Sequence, residues 1–203
     1  MKKLTTKQIT LLGLLTAFVV IFSFTPIGSI PVGPLSITLN VIPVAIGAIA
    51  LGPIGGLIMG SIFGLFSFLQ CFSIGMPSSM GIILANINPF LAFIQRFVPR
   101  ALDGFLVGCI FRFAKKLTGA RIACFITGFF TALLNTVFFM SALVIIFGNT
   151  DYVKGLIGGR NVIVAVCAMV GFNAVFEMIT TTILTGIIGI ALHRAKLLDN
   201  YTK

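Results

Sequence analysis

The sequence predicts an all-α membrane protein, a single domain over residues 1–203 that forms a bundle of six transmembrane helices with both termini in the cytoplasm. Three observations predict this fold. First, 58% of the 203 residues are hydrophobic and only 9% are charged, a far more apolar composition than that of a soluble domain. Second, the apolar residues form long runs instead of the alternating pattern of barrel strands. Third, the basic residues gather at alternate boundaries of these runs.

Six apolar runs define the predicted helices. Their approximate bounds are 8–24, 36–51, 54–72, 90–115, 120–147 and 161–192. No small-residue cleavage site follows the first run, so we expect a retained span and not a signal peptide. Gly52-Pro53 is expected to form a tight turn between the second and third spans.

Two of the connections have unusual compositions. Residues 25–35 contain three prolines and two glycines in eleven positions, which predicts an ordered loop that is not helical. Residues 73–89 form a long, uncharged connection that includes Asn86, a candidate substrate-binding residue. Long ordered connections of this kind often act as lids, so we expect both segments to cover a binding site.

The distribution of charge orients the predicted spans. One set of basic residues falls on a single side of a six-span bundle: Lys2, Lys3, Lys7, Arg112, Lys115, Lys116, Arg121, Arg194, Lys196 and Lys203. The loops of the opposite side carry only Lys154 and Arg160, partly offset by Asp151. The positive-inside rule places the first set in the cytoplasm. The net charge of +10 is therefore explained by topology and anionic lipid, and it does not call for a nucleic acid partner.

A charged stretch near the start of the fourth span is the strongest indication of a binding site. Arg96, Arg100 and Asp103 are spaced i, i+4, i+7, so they share one face of a helix. Pro99 is best tolerated in a first helical turn, which would put Arg100 at the mouth of this helix. Charged groups in an apolar span indicate a functional site, although two arginines could instead extend to the lipid headgroups. The excess positive charge favours an anionic ligand.

Three further polar residues in the fifth and sixth spans are candidates for the same site. Asn135 lies midway along the fifth span, and Asn173 and Glu177 share a face of the sixth at i, i+4. The two amides could instead hold helices together. Glu177 is the single glutamate of the chain and could bind ligand or pair with an arginine of the fourth span.

The sequence contains no pattern that indicates catalysis or metal binding. It lacks a nucleophile–base constellation, a zinc-protease motif and a phosphate-binding P-loop, and its four cysteines show no C-x-x-C spacing. We therefore predict neither an enzyme nor a metal site nor a cofactor. A small intramembrane enzyme that modifies lipid is the alternative from another class, and Asp103 with Glu177 is the one carboxylate pair it could use. A self-sufficient secondary carrier is disfavoured because no inverted repeat is visible.

Several short motifs, in their order and spacing, resemble one family of membrane proteins over nearly the whole chain. These motifs are Phe24-Thr25-Pro26-Ile27-Gly28, Val32-Gly33-Pro34-Leu35, Val98-Pro99-Arg100, Leu134-Asn135-Thr136-Val137 and Asn173-x-x-x-Glu177. They are similar to those of the S component, the substrate-binding subunit, of energy-coupling factor (ECF) vitamin transporters. The first two most resemble pantothenate-type members, with folate-type members next.

The resemblance implies a function and a set of partners. It implies a multi-pass protein of the prokaryotic plasma membrane that binds a water-soluble vitamin on the outer side. It also implies docking on a transmembrane T protein driven by two cytoplasmic ATPase subunits, which bind the ATP. The family docks through an Ala-x-x-x-Ala pattern in the first span, where this chain has Gly13 and Ala17.

Small residues predict two smooth helix surfaces. Gly13 and Ala17 form one in the first span, and Gly56, Gly60 and Gly64 form another in the third. Such surfaces allow two helix backbones to approach closely. Either surface could slide on a partner helix, or both could pack inside the bundle.

Overall fold

A computed structural model describes residues 6–26, 28–32 and 35–195, with backbone only for residues 31, 32, 35 and 36. Predictions that involve Lys2, Lys3, Ile27, Gly33, Pro34, Lys196 and Lys203 lie outside the described residues. The helices are α1 (Thr6–Phe24), α2 (Val41–Leu69), α3 (Ser79–Ile87), α4 (Pro89–Phe147), α5 (Asp151–Ile157) and α6 (Val162–Arg194). A short 3-10 helix, Gln70–Phe72, follows α2, and strands β1 (Ser29–Val32) and β2 (Leu35–Thr38) precede it.

The predicted class, an all-α membrane protein, is confirmed at this level. Four helices of the described part are long and apolar enough to cross a membrane, namely α1, α2 with its 3-10 extension, α4 and α6.

Two of the long helices are each interrupted by one glycine. Gly52 in α2 has φ 70° and ψ −158°, and Gly119 in α4 has φ 81° and ψ 165°. Side chains disfavour positive φ, so glycine is the residue that allows such a break. The interruptions divide α2 into 41–51 and 53–69, and α4 into 89–118 and 120–147. Both lie where the sequence predicts a boundary between spans.

The second span does not begin at Ser36, as the sequence predicts. Residues 35–38 form strand β2, which pairs antiparallel with β1 so that Ser29 faces Thr38 and Ile30 faces Ile37. Helix α2 then begins at Val41. The proline-rich composition of this segment hides the hairpin, because prolines are rare within paired strands.

The predicted connection 73–89 also differs from the structure, because most of it is helical. Ser78 caps α3 by accepting a hydrogen bond from the Gly81 amide (3.2 Å), and Asn88 caps α4 by accepting one from Leu91 (3.1 Å). Pro89 then opens α4.

Because α4 begins at Pro89, the expectation that Pro99 lies in the first turn of a helix is wrong. Pro99 is buried and lies ten residues inside the helix, so Arg100 is not at its mouth. The start signal is supplied by Asn88 and Pro89, a cap followed by a favoured first residue.

The glycines of the third predicted span pack inside the bundle. A side chain at Gly56 would collide with the Gly104 backbone, and side chains at Gly60 and Gly64 would meet the backbones of Arg100 and Phe97. Of the two alternatives that the sequence left open for this surface, the structure supports packing inside the bundle. Its function in the structure is to bring α2 into close contact with the part of α4 that carries the arginines.

One side of helix α1 is exposed. Its buried residues are Leu15, Val19 and Ser23, which face α2. Gly13 and Ala17 lie on the opposite side and are exposed, and nothing lies within 4 Å of a Cβ built on Gly13. The predicted docking surface is thus free in the isolated chain.

Candidate functional site

A cavity lies at the end of the bundle that carries the hairpin and α3. Its wall is formed by both strands, the second half of α2, residues 70–80, both halves of α4, and α6. The polar residues of this wall are Ser29, Thr38, Ser67, Gln70, Ser78, Arg96, Arg100, Asn135, Thr136, Asn173 and Glu177. The apolar ones include Phe63, Met76, Met80, Phe139, Met140 and Val170. A pocket of mixed chemistry such as this is typical of small-molecule sites.

Arg96 is buried and holds two other parts of the wall in place. Its Nη1 donates to the Ser67 hydroxyl of α2 (3.4 Å), and its Nη2 donates to the Ser78 hydroxyl (3.0 Å), the cap of α3. Gly81 makes room for this arrangement, because a Cβ there would lie 2.8 Å from the Arg96 Nη2. Arg96 therefore joins α4 to the segment that leads into α3.

Arg100 is 6% exposed and makes fewer hydrogen bonds than Arg96. Its Nη1 donates to the Arg96 carbonyl one turn back (2.9 Å), while its Nε has no partner. Arg100 therefore retains donors that can serve an incoming acceptor.

The rings of two phenylalanines pack against the guanidinium groups of Arg96 and Arg100. The Arg100 Cζ lies 4.5 Å from the centre of the Phe63 ring and 4.9 Å from that of Phe139. The Arg96 Cζ lies 5.1 Å from the same Phe139 ring. Attraction between a cation and the face of a ring lets both guanidinium groups be buried beside each other.

The two arginines have no carboxylate partner in the described part of the chain. No ion pair joins Arg96 or Arg100 to Asp103 or Glu177 there, and the Asp103 Oδ1 is buried without a hydrogen bond. Asp103 does not line the cavity. Two buried cations that lack a paired anion can receive the acidic group of a ligand.

The predicted polar residues of α4 and α6 meet at this cavity. Asn135 and Asn173 are each 6% exposed, and the Asn135 Oδ1 and Asn173 Nδ2 have no hydrogen-bond partner. Glu177 lines the same wall and accepts a hydrogen bond from the Thr38 amide at 2.6 Å. Five of the six predicted substrate-binding residues are thus brought together. Asn86 is the exception, because it lies exposed on α3, away from the cavity.

Sequence reasoning missed the aromatic and hydroxyl residues of the site. Phe63 and Phe139 are two of 21 phenylalanines, and Ser67 and Ser78 lie in ordinary apolar or turn contexts. No local pattern separates them from core or loop residues. A usable signal for Ser78 is its position just before the apolar run 80–84, because serine is a favoured cap at the start of a helix.

The cavity offers hydrogen-bond donors and acceptors to a small molecule. Within the described residues, no group of three histidine, cysteine, aspartate or glutamate side chains could hold a metal ion. Guanidinium groups, amides and hydroxyls can hold a small molecule that carries one acidic group and several hydroxyl or amide groups.

The chain is similar to a family of known proteins. The profile of the family described as ECF transporter, substrate-specific component, matches residues 7–189. The pantothenate transporter PanT of Leuconostoc mesenteroides is 34% identical over 171 residues, which cover 82% of this chain and 79% of that protein. The pantothenic acid transporter PanT of Lactococcus lactis is 30% identical over 212 aligned residues, covering 97% and 98% of the two chains.

Proposed function

Because this chain belongs to the family of substrate-specific components of ECF transporters, we propose that it captures pantothenate for import. Membership confirms the resemblance seen in the sequence and makes the chain a multi-pass protein of the cell membrane, not an enzyme. Two relatives named as pantothenate transporters support the choice of vitamin.

The observation that carries the proposal is the pair of unpaired, buried arginines at the cavity. Pantothenate has one carboxylate, which suits Arg100 with Arg96 beside it. Its hydroxyl and amide groups suit the free atoms of Asn135 and Asn173. Its branched carbon centre suits the methionine and valine side chains of the same wall.

Isothermal titration of the purified protein with pantothenate tests this assignment directly. We expect saturable binding of pantothenate, with much weaker binding of folate, which is larger and carries an aromatic ring system. Mass spectrometry of ligand that co-purifies with the protein gives an independent answer. Tight binding of folate or another vitamin in place of pantothenate would overturn the assignment of the substrate and leave the family unchanged.

We also propose six spans with both termini in the cytoplasm. The breaks at Gly52 and Gly119 support this, because each would turn one long helix into two antiparallel spans. The basic residues Arg112, Lys115, Lys116 and Arg121 flank the break at Gly119, as the cytoplasmic side requires.

Labelling with a membrane-impermeant maleimide tests this topology. In a background where the exposed Cys109 and Cys167 are replaced by serine, Lys154→Cys should react in intact cells. Lys116→Cys should react only after the membrane is opened. The reverse pattern, or labelling of both from outside, would contradict the proposed orientation.

The partners follow from the family. The proposal includes a transmembrane T protein and two cytoplasmic ATPase subunits, and it gives this chain no cofactor of its own. The exposed surface at Gly13 and Ala17 supports a docking role for α1, because it is smooth and not covered by the rest of the chain.

A further inference from the structure

Glu177 faces the cavity but is engaged with the backbone of the hairpin. Its Oε1 accepts a hydrogen bond from the Thr38 amide at 2.6 Å, and the side chain is 5% exposed. Within the described residues no arginine forms an ion pair with it. The carboxylate therefore holds strand β2 against α6, across 139 positions of sequence.

The hydrogen bonds continue from Thr38 to two further elements. The Thr38 hydroxyl accepts a hydrogen bond from the backbone amide of Asn40 (3.3 Å) at the start of α2. The Asn40 Nδ2 donates to the Ser23 hydroxyl (3.3 Å) near the end of α1. The hairpin is thereby joined to the helix that precedes it as well as to the one that follows.

Ser23 extends the network to the other segment that covers the cavity. Its carbonyl accepts from the Gln70 Nε2 (3.1 Å) and from the Met76 amide (2.9 Å). Ser23 and Asn40 are each 1% exposed, and Gln70 is 7% exposed. Hydrogen bonds shielded from water in this way are stronger than exposed ones and costly to leave broken.

We propose that the hairpin, residues 70–78 and the end of α1 form one hydrogen-bonded cap over the cavity, and that Glu177 is the positioning residue that fastens this cap to α6. A ligand would then enter or leave when the cap detaches at Glu177, and α1 would move with it. The proposal rests on the proposed function only in taking the cavity as the ligand site. Glu177 acts through the hairpin and not as the partner of the ligand's acidic group.

Hydrogen exchange of the ligand-free protein in detergent, followed by mass spectrometry, tests the cap. Glu177→Leu removes the acceptor, so exchange should become about 10-fold to 100-fold faster in peptides covering 28–40 and also in those covering 73–78. Glu177→Gln keeps an acceptor oxygen and should retain most of the protection. Thr181→Val, one turn further along α6 and outside the cavity wall, is the matched control and should leave both peptides unchanged.

Three outcomes would overturn the proposal. Faster exchange confined to 38–40 would mean that the segments are not coupled. Equal effects of the leucine and glutamine variants would mean that the hydrogen bond is not what Glu177 provides. If Glu177→Leu does not fold, Gln70→Leu breaks the network at its other end, and unchanged exchange in the hairpin of that variant would exclude a single unit.

The dissociation rate of pantothenate gives a second readout. It should rise by about 10-fold or more in Glu177→Leu and by little in Glu177→Gln, because an opening cap releases ligand faster. A protein that binds no pantothenate would refute the proposed substrate while leaving the exchange experiment valid. The two failures are therefore distinguishable.

Discussion

Replacing Arg100 by alanine is expected to weaken pantothenate binding by about 30-fold to several thousand-fold. The truncation of one partner in a buried charged pair typically costs about 2–5 kcal/mol, because the other charge stays desolvated and unpaired. Arg100 is the arginine with fewer hydrogen bonds to the protein, and two aromatic rings support it toward the cavity. Its loss should therefore remove the main contact of the ligand carboxylate.

Isothermal titration measures that contact when it compares pantothenate, the acid, with the neutral derivative in which an amide replaces the carboxylate. The amide should bind the natural protein poorly but lose much less affinity than the acid on going to Arg100→Ala, because it never forms the ionic contact. Arg100→Lys should recover only part of the affinity, since an ammonium group lacks the planar fork of the guanidinium. Arg112→Ala, an exposed arginine further along the same helix, is the control and should bind normally.

If a folded Arg100→Ala variant loses the same affinity for the amide as for the acid, the coupling energy between Arg100 and the carboxylate is near zero. The acidic group of the ligand would then bind elsewhere. Arg96 would then be the next candidate. Its guanidinium is already engaged with Ser67 and Ser78, so its loss should also loosen the start of α3. Hydrogen exchange in residues 78–87 separates these two effects of an Arg96 variant.

The sequence predicted the polar residues of the cavity better than the secondary structure of the two segments that cover it, residues 29–38 and 70–78. Arg96, Arg100, Asn173 and Glu177 follow helical spacing in long apolar spans, where a polar residue must face the protein interior. That constraint places Arg96 with Arg100, and Asn173 with Glu177, on one face of their own helix. That the two faces meet at one cavity is a property of the fold. Asn86 lacks that constraint, because the sequence predicted a connection there, and the structure places Asn86 on the exposed side of the short helix α3.

The sequence predicted that these two segments cover the site but missed their secondary structure, because that structure depends on distant contacts. Strand β2 is held by Glu177 from α6, and the 73–78 segment is held by Ser23 from α1. Nothing in the local composition of residues 29–38 favours a strand over a proline-rich loop. Likewise, the close fit of Gly56 against Gly104 cannot be read from either helix alone, since a small-residue surface is equally suited to an internal or an external partner.

The structure resolves that ambiguity in favour of α1 as the proposed docking helix. The glycine surface of α2 is used inside the bundle, whereas Gly13 and Ala17 remain exposed. If this surface contacts the T protein, Ala17→Trp should reduce pantothenate uptake to the background level of cells that lack the transporter. A large side chain holds two helix backbones apart and removes the close packing on which helix association in a membrane depends.

Binding of pantothenate to the isolated Ala17→Trp protein should stay normal, because the new side chain points away from α2 and lies far from the cavity wall. Gly171→Trp is the matched control: it adds the same bulk on α6, where no atom lies within 4 Å of a built Cβ, and it should transport normally. Uptake assays need equal amounts of each variant in the membrane, and co-purification with the T protein should fall only for Ala17→Trp. Normal uptake by that variant would exclude this surface. Loss of both binding and uptake would instead show that α1 supports the cavity, which its hydrogen bonds at Ser23 make a physical alternative.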